Sequence, residues 1–254
     1  YELFNSQSDI KSNTFTFLNS KKNLTFPQDW NNKKIPLLWT YNLHYFDDLL
    51  ASNISFNEKK SHIQRWIKEN PYKSRGPAWD PYTLSIRIVN WIKFFSKEQN
   101  ITDIEISSLL EQIRCLNRTL EYHLLGNHLL ENAKALIFSG LFFNDSESSK
   151  WLSKGILILD KELKEQILED GAHFELSPMY HSIMLDLVID IYDLCISANN
   201  LNYEHLFSKK DFFANIILKM HSWLIHMIHP DGEIAYFNDS AVGVSNSPEK
   251  IFSR

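Results

Sequence analysis

The sequence predicts an all-α fold of antiparallel helical hairpins, preceded by a short irregular or β-containing segment. Three observations support this prediction. Apolar residues recur at spacings of three and four over successive stretches, as on the buried face of a helix. The breaks between these stretches are short and rich in Gly, Pro, Asn and Ser. No strand-like stretches alternate with the helical ones, which argues against a parallel α/β sheet.

The elements follow in order from this pattern. Residues 1–36 are predicted to be an irregular N-terminal segment, in which Thr-Phe-Thr-Phe at 14–17 suits a strand or hairpin. Residues 36–48 are dense in Trp, Tyr, Asn and His and run into Leu49 and Leu50 like the opening of a helix. Helical patterns then cover about 57–69, 82–97, 103–124, 128–143, 149–168, 178–198 and 209–228.

Short connections between helices of this length predict stacked hairpins, arranged as a solenoid or closed into a ring. No fixed sequence period is present, which argues against a consensus repeat protein. Pro230-Asp-Gly is a turn signal. We therefore expect one helical domain over residues 37–254.

Composition excludes several classes of protein. The chain has 254 residues, 44% of them hydrophobic, and a formal charge of −5, which argues against a nucleic-acid-binding protein. No apolar run approaches the roughly 20 residues that cross a bilayer, so we expect no membrane insertion. Cys115 and Cys195 are too few for a disulfide framework and are predicted to be core residues. The chain begins with Tyr1 rather than Met, so we expect it to be a processed or trimmed piece.

The stretch around Gly126 is the most informative one. One helical pattern ends at Gly126 and a second begins at once with Asn127 and His128, while Glu131 lies one turn beyond His128. An amide and an imidazole at the positive end of a helix can bind an anionic group. Equally, Asn127 could serve only as an N-cap.

Two earlier segments carry polar and aromatic residues that a plain scaffold does not need. Tyr41, Asn42 and Tyr45 fall in the first, where an aromatic helix start packing on a neighbour is an equal alternative. The second begins at Trp79, and on its helix Arg87 and Asn90 lie three residues apart. Arg87 could instead form a structural ion pair.

A later segment runs from Glu169 to His181. Ser177 followed by Pro178 predicts an N-cap with Pro at the first helical position. Tyr180 and His181 would then lie in the first turn, again at the positive end of a helix. The same segment holds His173 and Glu175. Taken alone, a Tyr in a first turn is more often a core or surface residue.

Several reaction classes lack their motifs. The sequence has no His-Glu-x-x-His, no Pro-Cys-x-x-Cys partner for His173 and Glu175, no Gly-rich phosphate loop and no Gly-x-Ser-x-Gly. We expect neither a metal nor a cofactor. Glycoside hydrolysis stays open, because Asp170 and Glu175 could supply two opposed carboxylates.

Together, these segments resemble the N-terminal (α/α) toroid domain of the heparinase II/III-like polysaccharide lyases. The stretches that carry the resemblance are Trp39-Thr-Tyr-Asn-Leu-His-Tyr-Phe-Asp47, Trp79-Asp-Pro-Tyr-x-x-Ser-x-Arg-x-x-Asn-Trp91, Gly126-Asn-His-Leu-x-x-Asn-Ala-x-Ala-Leu136, Asp170-Gly-Ala-His-Phe-Glu-x-Ser-Pro-Met-Tyr-His181, Asp231-Gly and Phe237-Asn-Asp-Ser240. Their order and density over about residues 39–240 make the resemblance fairly specific.

The resemblance implies an incomplete (α/α) toroid followed by a C-terminal β-sandwich domain that would supply a further catalytic His. It implies β-elimination in an acidic polysaccharide that contains uronic acid, such as a glycosaminoglycan, by a bacterial enzyme that is periplasmic or secreted. Asn127 and His128 would bind the substrate carboxylate, and Tyr180 would carry the proton transfers. The expected substrate-binding residues are Tyr41, Asn42, Tyr45, Trp79, Arg87, Asn90, Glu131, His173, Glu175 and His181.

β-Elimination removes the C5 proton of the uronate and breaks the C4–O4 bond. Tyr180 could act as both base and acid, but its ordinary pKa of about 10 is too high for a base at neutral pH. Positive charge from Arg87, His181 or His173 would have to lower it. Alternatively, His128 is the base and Tyr180 the acid. An (α/α) glycoside hydrolase, a non-catalytic domain that binds acidic glycans and a plain scaffold are the rival functions.

Overall fold

The computed structural model describes residues 4–72, 74, 76–97, 100–124, 126–198 and 204–254. The chain divides into two compact units. The N-terminal unit comprises Glu2–Tyr122 and Ala135–Gly155, and the C-terminal unit comprises His123–Lys134 and Ile156–Arg254.

The predicted hairpin is present at the start of the chain. Strand β1 (Thr14–Phe17) pairs antiparallel with β2 (Ser20–Asn23), and Phe17 faces Ser20 across the turn. Phe15 is fully buried. The short sheet therefore contributes one large apolar side chain to the core of the N-terminal unit.

Within the described residues, seven helices occupy the predicted stretches with some differences at their ends, and three further helices, at 37–45, 204–207 and 248–252, lie outside those stretches. They are α1 (Leu37–Tyr45), α2 (Phe56–Glu69), α3 (Pro81–Phe95), α4 (Asp103–Arg118), α5 (Gly126–Phe142), α6 (Ser146–Gln166), α7 (Pro178–Ala198), α8 (Glu204–Phe207), α9 (Lys210–Ile225) and α10 (Pro248–Phe252). Short 3-10 turns occur at Gln28–Asn31, Asp47–Leu50 and Pro77–Trp79. In the described ranges, no helix is both long and apolar enough to cross a membrane.

Two predicted boundaries are wrong. The aromatic segment at 37–45 is itself helix α1, whereas Asp47–Leu50 forms only a 3-10 turn, because Phe46 between them has a left-handed backbone with φ of 63°. Helix α4 ends at Arg118, well before Gly126, which opens α5 instead of closing the previous helix.

The N-terminal unit is built around tryptophan. Trp30, Trp66 and Trp91 are fully buried, and Trp66 packs edge-on against Trp91 with ring centroids 5.6 Å apart. Helix α3 packs against α1 and α4, and α2 packs against α4. Capping boxes at Ser55 and Thr102 fix the starts of α2 and α4.

In the C-terminal unit, α7 packs against α9, and α8 and α10 also contact α7. The apolar side of α7 is the reason, since Met184, Leu185, Val188 and Ile191 are fully buried at helical spacing. Cys195 is buried on the same helix, as predicted, whereas Cys115 of the N-terminal unit is only half-buried.

Two Asp-Gly hairpin turns leave the ends of α6 and α9. The first hairpin turn (166–174) closes with an antiparallel bridge between Ile167 and His173, and the second hairpin turn (227–235) with one between Ile228 and Ile234. The second contains the predicted Pro230-Asp-Gly turn. Both turns lie within the C-terminal unit, and the first leads directly into α7.

Candidate functional site

The start of α5 presents the predicted pair of polar side chains. Gly126 opens the helix with φ of +53°, and Asn127 and His128 follow in its first turn, each half-buried. A Cβ on Gly126 would lie 2.8 Å from Oε1 of Glu175. Glycine therefore lets the Glu175 carboxylate approach the helix start, in addition to permitting the positive φ.

The start of α7 has the predicted cap. Ser177 Oγ accepts a hydrogen bond from Tyr180 N at 3.3 Å, and Pro178 is the first helical residue. Tyr180 therefore lies in the first turn and is half-buried. The phenol is held at the positive end of a helix, where developing negative charge is stabilised.

Glu175 connects the two helix starts. Partial burial raises the pKa of its carboxyl group, the neighbouring His128 acts in the opposite direction and Asp239 adds to the rise. The same two carboxylates lie near Tyr180: partial burial raises the pKa of the phenol, and Glu175 and Asp239 raise it further. Glu175 therefore lies close enough to interact electrostatically with both His128 and Tyr180.

This geometry corrects the expectation that positive charge lowers the pKa of Tyr180. The nearby charges that act on the phenol are negative. His173 and His181 cannot supply the positive charge, since burial lowers the pKa of each to about 4. Tyr180 is thus held in its protonated form at neutral pH.

Residues 238–240 hold the start of α7 in place. Ser240 Oγ accepts a hydrogen bond from Met179 N at 3.1 Å and lies 3.1 Å from Ser177 Oγ. Asn238 Nδ2 donates to the carbonyl oxygen of Leu176 at 3.0 Å. The Phe237-Asn-Asp-Ser240 stretch therefore positions Tyr180 and supplies Asp239, roles that the sequence did not assign to it.

A buried polar network supports the start of α5. Gln166 Nε2 donates to the carbonyl oxygen of Gly126 at 3.3 Å, and Gln166 Oε1 lies 3.1 Å from His173 Nε2. His173 N donates to His181 Nδ1 at 3.2 Å, so His181 Nε2 carries its proton and donates to Met220 O at 2.9 Å. Gln166 was missed because nothing in the pattern of α6 sets it apart from other helical polar residues.

His173, His181 and Glu131 were expected to contact substrate, but the structure buries them. Both histidines have 0% exposure and are committed to the network just described. Glu131 is 4% exposed and pairs with Lys134 at 2.9 Å. The three side chains are therefore buried away from solvent in this structure, and their part in substrate binding stays a prediction.

Three of the predicted residues in the N-terminal unit are also buried. Arg87 donates to Gln112 Oε1 at 2.8 Å, to two backbone carbonyl oxygens at 2.6 and 3.1 Å, and lies over the Trp66 ring at 4.0 Å. Asn90 Nδ2 donates to the carbonyl oxygen of Tyr45 at 2.9 Å. Arg87, Asn90 and Tyr45 therefore hold α1 against α3, and the alternative of a structural ion pair for Arg87 is replaced by hydrogen bonds to neutral acceptors.

Tyr41, Asn42 and Trp79 keep part of their surface in solvent. Tyr41 Oη donates to Asp80 Oδ2 at 2.8 Å, and burial together with Asp80 raises the pKa of the phenol. Asn42 Nδ2 donates to Leu38 O at 2.8 Å, and Trp79 Nε1 donates to Asn70 O at 3.3 Å. These three side chains remain the accessible members of the predicted set in the N-terminal unit.

Comparison of this chain with known protein families identifies a match. Residues 57–253 match the family model described as Heparinase II/III N-terminus. The chain belongs to this family. The membership covers most of the chain, including α5, α7 and Glu175.

The chain is also similar in sequence to curated proteins named heparin-sulfate lyase. The chain is 29% identical over 191 residues to a heparin-sulfate lyase of Pedobacter heparinus, covering 71% of the chain and 28% of that protein. It is 27% identical over 227 residues to a heparin-sulfate lyase of Bacteroides stercoris, covering 74% of the chain and 34% of that protein. The chain thus spans about a third of the length of the curated relatives it matches.

Solved structures agree on the fold. The crystal structure of heparinase III superposes with a TM-score of 0.67 at 22% identity, covering 88% of this chain and 38% of that one. Heparan sulfate lyase HepC from Pedobacter heparinus gives a TM-score of 0.62 at 22% identity with the same coverage. The predicted fold class, an all-α chain of the incomplete (α/α)-toroid type, is confirmed.

Proposed function

We propose that this heparinase II/III family chain is the helical part of a polysaccharide lyase that cleaves a uronic-acid-containing acidic polysaccharide by β-elimination. The approach of Glu175 to Gly126, which joins the starts of α5 and α7, is the observation that carries the proposal. The names of the relatives point to a glycosaminoglycan of the heparin or heparan sulfate type as substrate. We also propose that a C-terminal β-sandwich domain completes the enzyme.

Neutralising the substrate carboxylate is the first requirement of this reaction. The C5 proton of a uronate is weakly acidic because the adjacent carboxylate is already negative. Hydrogen-bond donors on that carboxylate stabilise the enolate-like state, as in an oxyanion hole. With His128 reserved for the proton transfer, Asn127 and the first backbone N–H groups of α5 are the proposed donors to the carboxylate.

The proton transfers are assigned by the charges around Tyr180. A phenol whose pKa is raised by burial, Glu175 and Asp239 is a proton donor at neutral pH. We therefore assign Tyr180 as the acid that protonates O4 as the C4–O4 bond breaks. His128 is the proposed base that accepts the C5 proton, and the C5–H electron pair forms the C4–C5 double bond.

The remaining predicted site residues fall into two groups, those whose side chains reach solvent and those that are buried. Tyr41, Asn42 and Trp79 are proposed contacts for sugar units, since their side chains reach solvent. Glu175 is proposed to orient His128 and to keep Tyr180 protonated. The buried members of the expected set are proposed as positioning residues: Tyr45, Arg87, Asn90, Glu131, His173 and His181.

Tyr180→Phe tests the proposal. In a polypeptide that continues beyond Arg254 and releases unsaturated product from a heparin-type polysaccharide, we expect the rate to fall by ~10²–10⁴, the usual contribution of a general acid. Asn127→Ala should reduce it by ~10²–10³. Tyr192→Phe, on the same helix α7 but beyond its first turns, is the matched control and should keep the parent rate. The readout is ultraviolet absorbance of the 4,5-unsaturated uronate.

Three outcomes would contradict the proposal in different ways. Near-normal release of unsaturated product by the Tyr180→Phe variant would show that Tyr180 is not the acid that protonates O4. New reducing ends without ultraviolet-absorbing product would indicate hydrolysis by a pair such as Asp170 and Glu175. Tight binding of the polysaccharide with no cleavage would indicate a glycan-binding domain.

A further inference from the structure

The N-terminal unit contains an open cavity of about 310 Å³ between the end of α2, the segment that follows it and one side of α4. Its size falls within the range of small-molecule sites in proteins. Among the described residues, those that line the cavity belong to the N-terminal unit. The cavity is therefore defined within one unit of the structure.

Two aromatic rings form one wall of the cavity. Trp79 and Tyr72 meet edge to face, with ring centroids 5.2 Å apart. The Trp79 indole is fixed because its Nε1 donates to the carbonyl oxygen of Asn70. A fixed indole with part of its surface in solvent can pack against the apolar face of a sugar ring or attract a cation.

A buried side chain with an unpaired amide oxygen also lines the cavity. Asn70 is 1% exposed and lines the cavity. Its Nδ2 donates to Trp66 O at 3.2 Å, whereas its Oδ1 has no hydrogen-bond partner among the described residues. A buried acceptor without a partner is destabilising. A ligand that brings a hydrogen-bond donor would remove that destabilisation.

The part of the lining that belongs to α4 carries negative charge. Asp103, Ser107 and Glu111 recur every four residues and therefore share one face of α4. Neither carboxylate forms a salt bridge with a residue in the described ranges. Two carboxylates and an acceptor oxygen favour a ligand that donates hydrogen bonds and carries positive charge.

From these features, we propose that the cavity is a binding site for an amino sugar with a free, protonated amine. The ring packs on Trp79 and Tyr72, the ammonium lies against the face of α4 that carries Asp103 and Glu111, and a hydroxyl donates to Asn70 Oδ1. Uronate or sulfated units are disfavoured by like-charge repulsion from the carboxylates. The inference rests on the proposed function only in treating Trp79 as a sugar contact, and it specifies the kind of sugar unit that Trp79 binds.

Titration with free D-glucosamine tests this site without any cleavage reaction. The side-chain N–H resonance of Trp79, assigned with Trp79→Phe, is followed by ¹H–¹⁵N NMR at a pH where the amine is protonated. We expect saturable shifts with D-glucosamine, binding at least several-fold weaker with N-acetylglucosamine, and no response to glucuronate. Failure of this titration leaves the lyase proposal untouched, because no step of the elimination uses the cavity.

Charge variants give the matched comparison. Asp103→Asn and Glu111→Gln should each weaken D-glucosamine binding about two- to fivefold, the usual range for an exposed ion pair. Glu165→Gln, at an exposed carboxylate on α6 that is not among the lining residues, should leave binding unchanged. A thermal unfolding curve for each variant separates lost binding from lost folding, and Tyr72→Ala, at an exposed position, gives an independent test of the aromatic wall.

Four results would overturn the inference. Equal binding of D-glucosamine and N-acetylglucosamine would show that the charge is irrelevant. Ethanolamine binding as tightly as D-glucosamine would show that the amine alone accounts for the affinity and that the sugar ring is not recognised. Unchanged affinity in the doubly substituted, folded Asp103→Asn/Glu111→Gln variant would separate the carboxylates from the ligand, and no shift of the Trp79 resonance would place binding elsewhere.

Discussion

The first hairpin turn (166–174) and the second (227–235) share one backbone design at positions 61 residues apart. Phe174 N donates to Gln166 O, and Ala235 N donates to Met227 O, both at 2.8 Å. Gly171 N donates to Leu168 O at 3.0 Å, as Gly232 N does to His229 O at 2.9 Å. The antiparallel bridge of the first turn likewise recurs in the second.

Their side chains differ at matched positions. Gln166 and His173 of the first hairpin turn correspond to Met227 and Ile234 of the second. The polar pair is hydrogen-bonded in the interior and reaches the start of α5, whereas Ile234 is simply buried. The same backbone turn therefore forms without polar side chains at these two positions. The buried amide and imidazole are present where the turn also supports the candidate site.

The glycines of the two turns should show the largest difference. At Gly171 a Cβ would lie 2.5 Å from the carbonyl carbon of Lys219, whereas at Gly232 nothing lies within 4 Å. Both have positive φ, +92° and +88°. We expect Gly171→Ala to lower the free energy of unfolding by about 2–5 kcal/mol, from backbone strain plus overpacking, and Gly232→Ala by about 1–2 kcal/mol. Urea unfolding of both variants measures this, and equal losses would contradict the packing difference.

Exchanging the polar pair for its apolar counterpart is expected to have the next largest effect. Gln166→Met alone or His173→Ile alone leaves a buried polar partner unsatisfied, at a cost of about 1–3 kcal/mol each. The double variant, which copies the second turn, should cost less than the sum of the two, with a coupling of about 0.5–3 kcal/mol. Chemical denaturation of the four proteins completes the cycle. Strictly additive losses would mean that the amide and imidazole do not depend on each other.

The two turns should also differ in how they affect stability at acidic pH. His173 and His181 have folded-state pKa values of about 4, lowered by burial, against about 6.5 when unfolded. The unfolded chain therefore binds more protons between pH 6.5 and 4, so stability is complete above pH 6.5 and is lost as the pH falls. His173 should contribute about 1 kcal/mol per pH unit in that window. The Gln166→Met/His173→Ile variant should show a correspondingly shallower dependence in unfolding curves at several pH values; an unchanged slope would exclude His173 as a contributor.

The turn aspartates should have the smallest effects, and equal ones. Asp170 Oδ1 accepts from Ala172 N at 3.0 Å, and Asp231 Oδ1 accepts from Glu233 N at 3.0 Å. Replacing either by Ala should cost about 0.5–1.5 kcal/mol. Thermal unfolding measures stability, and product release measures activity. A loss of cleavage confined to Asp170→Ala would give that carboxylate a chemical role, as a hydrolase requires.

The helices were largely predictable because their signals are local. Apolar spacing, the Ser177-Pro178 cap and the Asp231-Gly turn each depend on residues near in sequence. Helix α1 was misplaced because aromatic residues suit several structures, and its end depends on the left-handed backbone at Phe46. The 61-residue recurrence of the hairpin turns was invisible because backbone geometry repeats there while most side chains do not.

The candidate site itself stays a prediction, although the structure places Glu175 beside Gly126 and within electrostatic reach of Tyr180. The sequence could not separate buried His173 and His181 from exposed Glu175, since burial depends on contacts with residues distant along the chain, such as Met220. For the same reason, it could not give the direction of the pKa shift of Tyr180. Gln166 was missed, and Asp239 and Ser240 were quoted only as part of the resemblance, because all three reach the site only through tertiary folding.

The hydrogen bonds of Ser240 to the first turn of α7 have a practical meaning for anyone dissecting this protein. A truncated version that stopped at Ile225 would retain α7 and α9 yet lose the hydroxyl that satisfies Met179 N and the amide that holds Leu176. The phenol of Tyr180 would then sit on a frayed helix start. We therefore expect circular dichroism to report retained helices in such a fragment while the first turn of α7 has lost the hydrogen bonds that hold it.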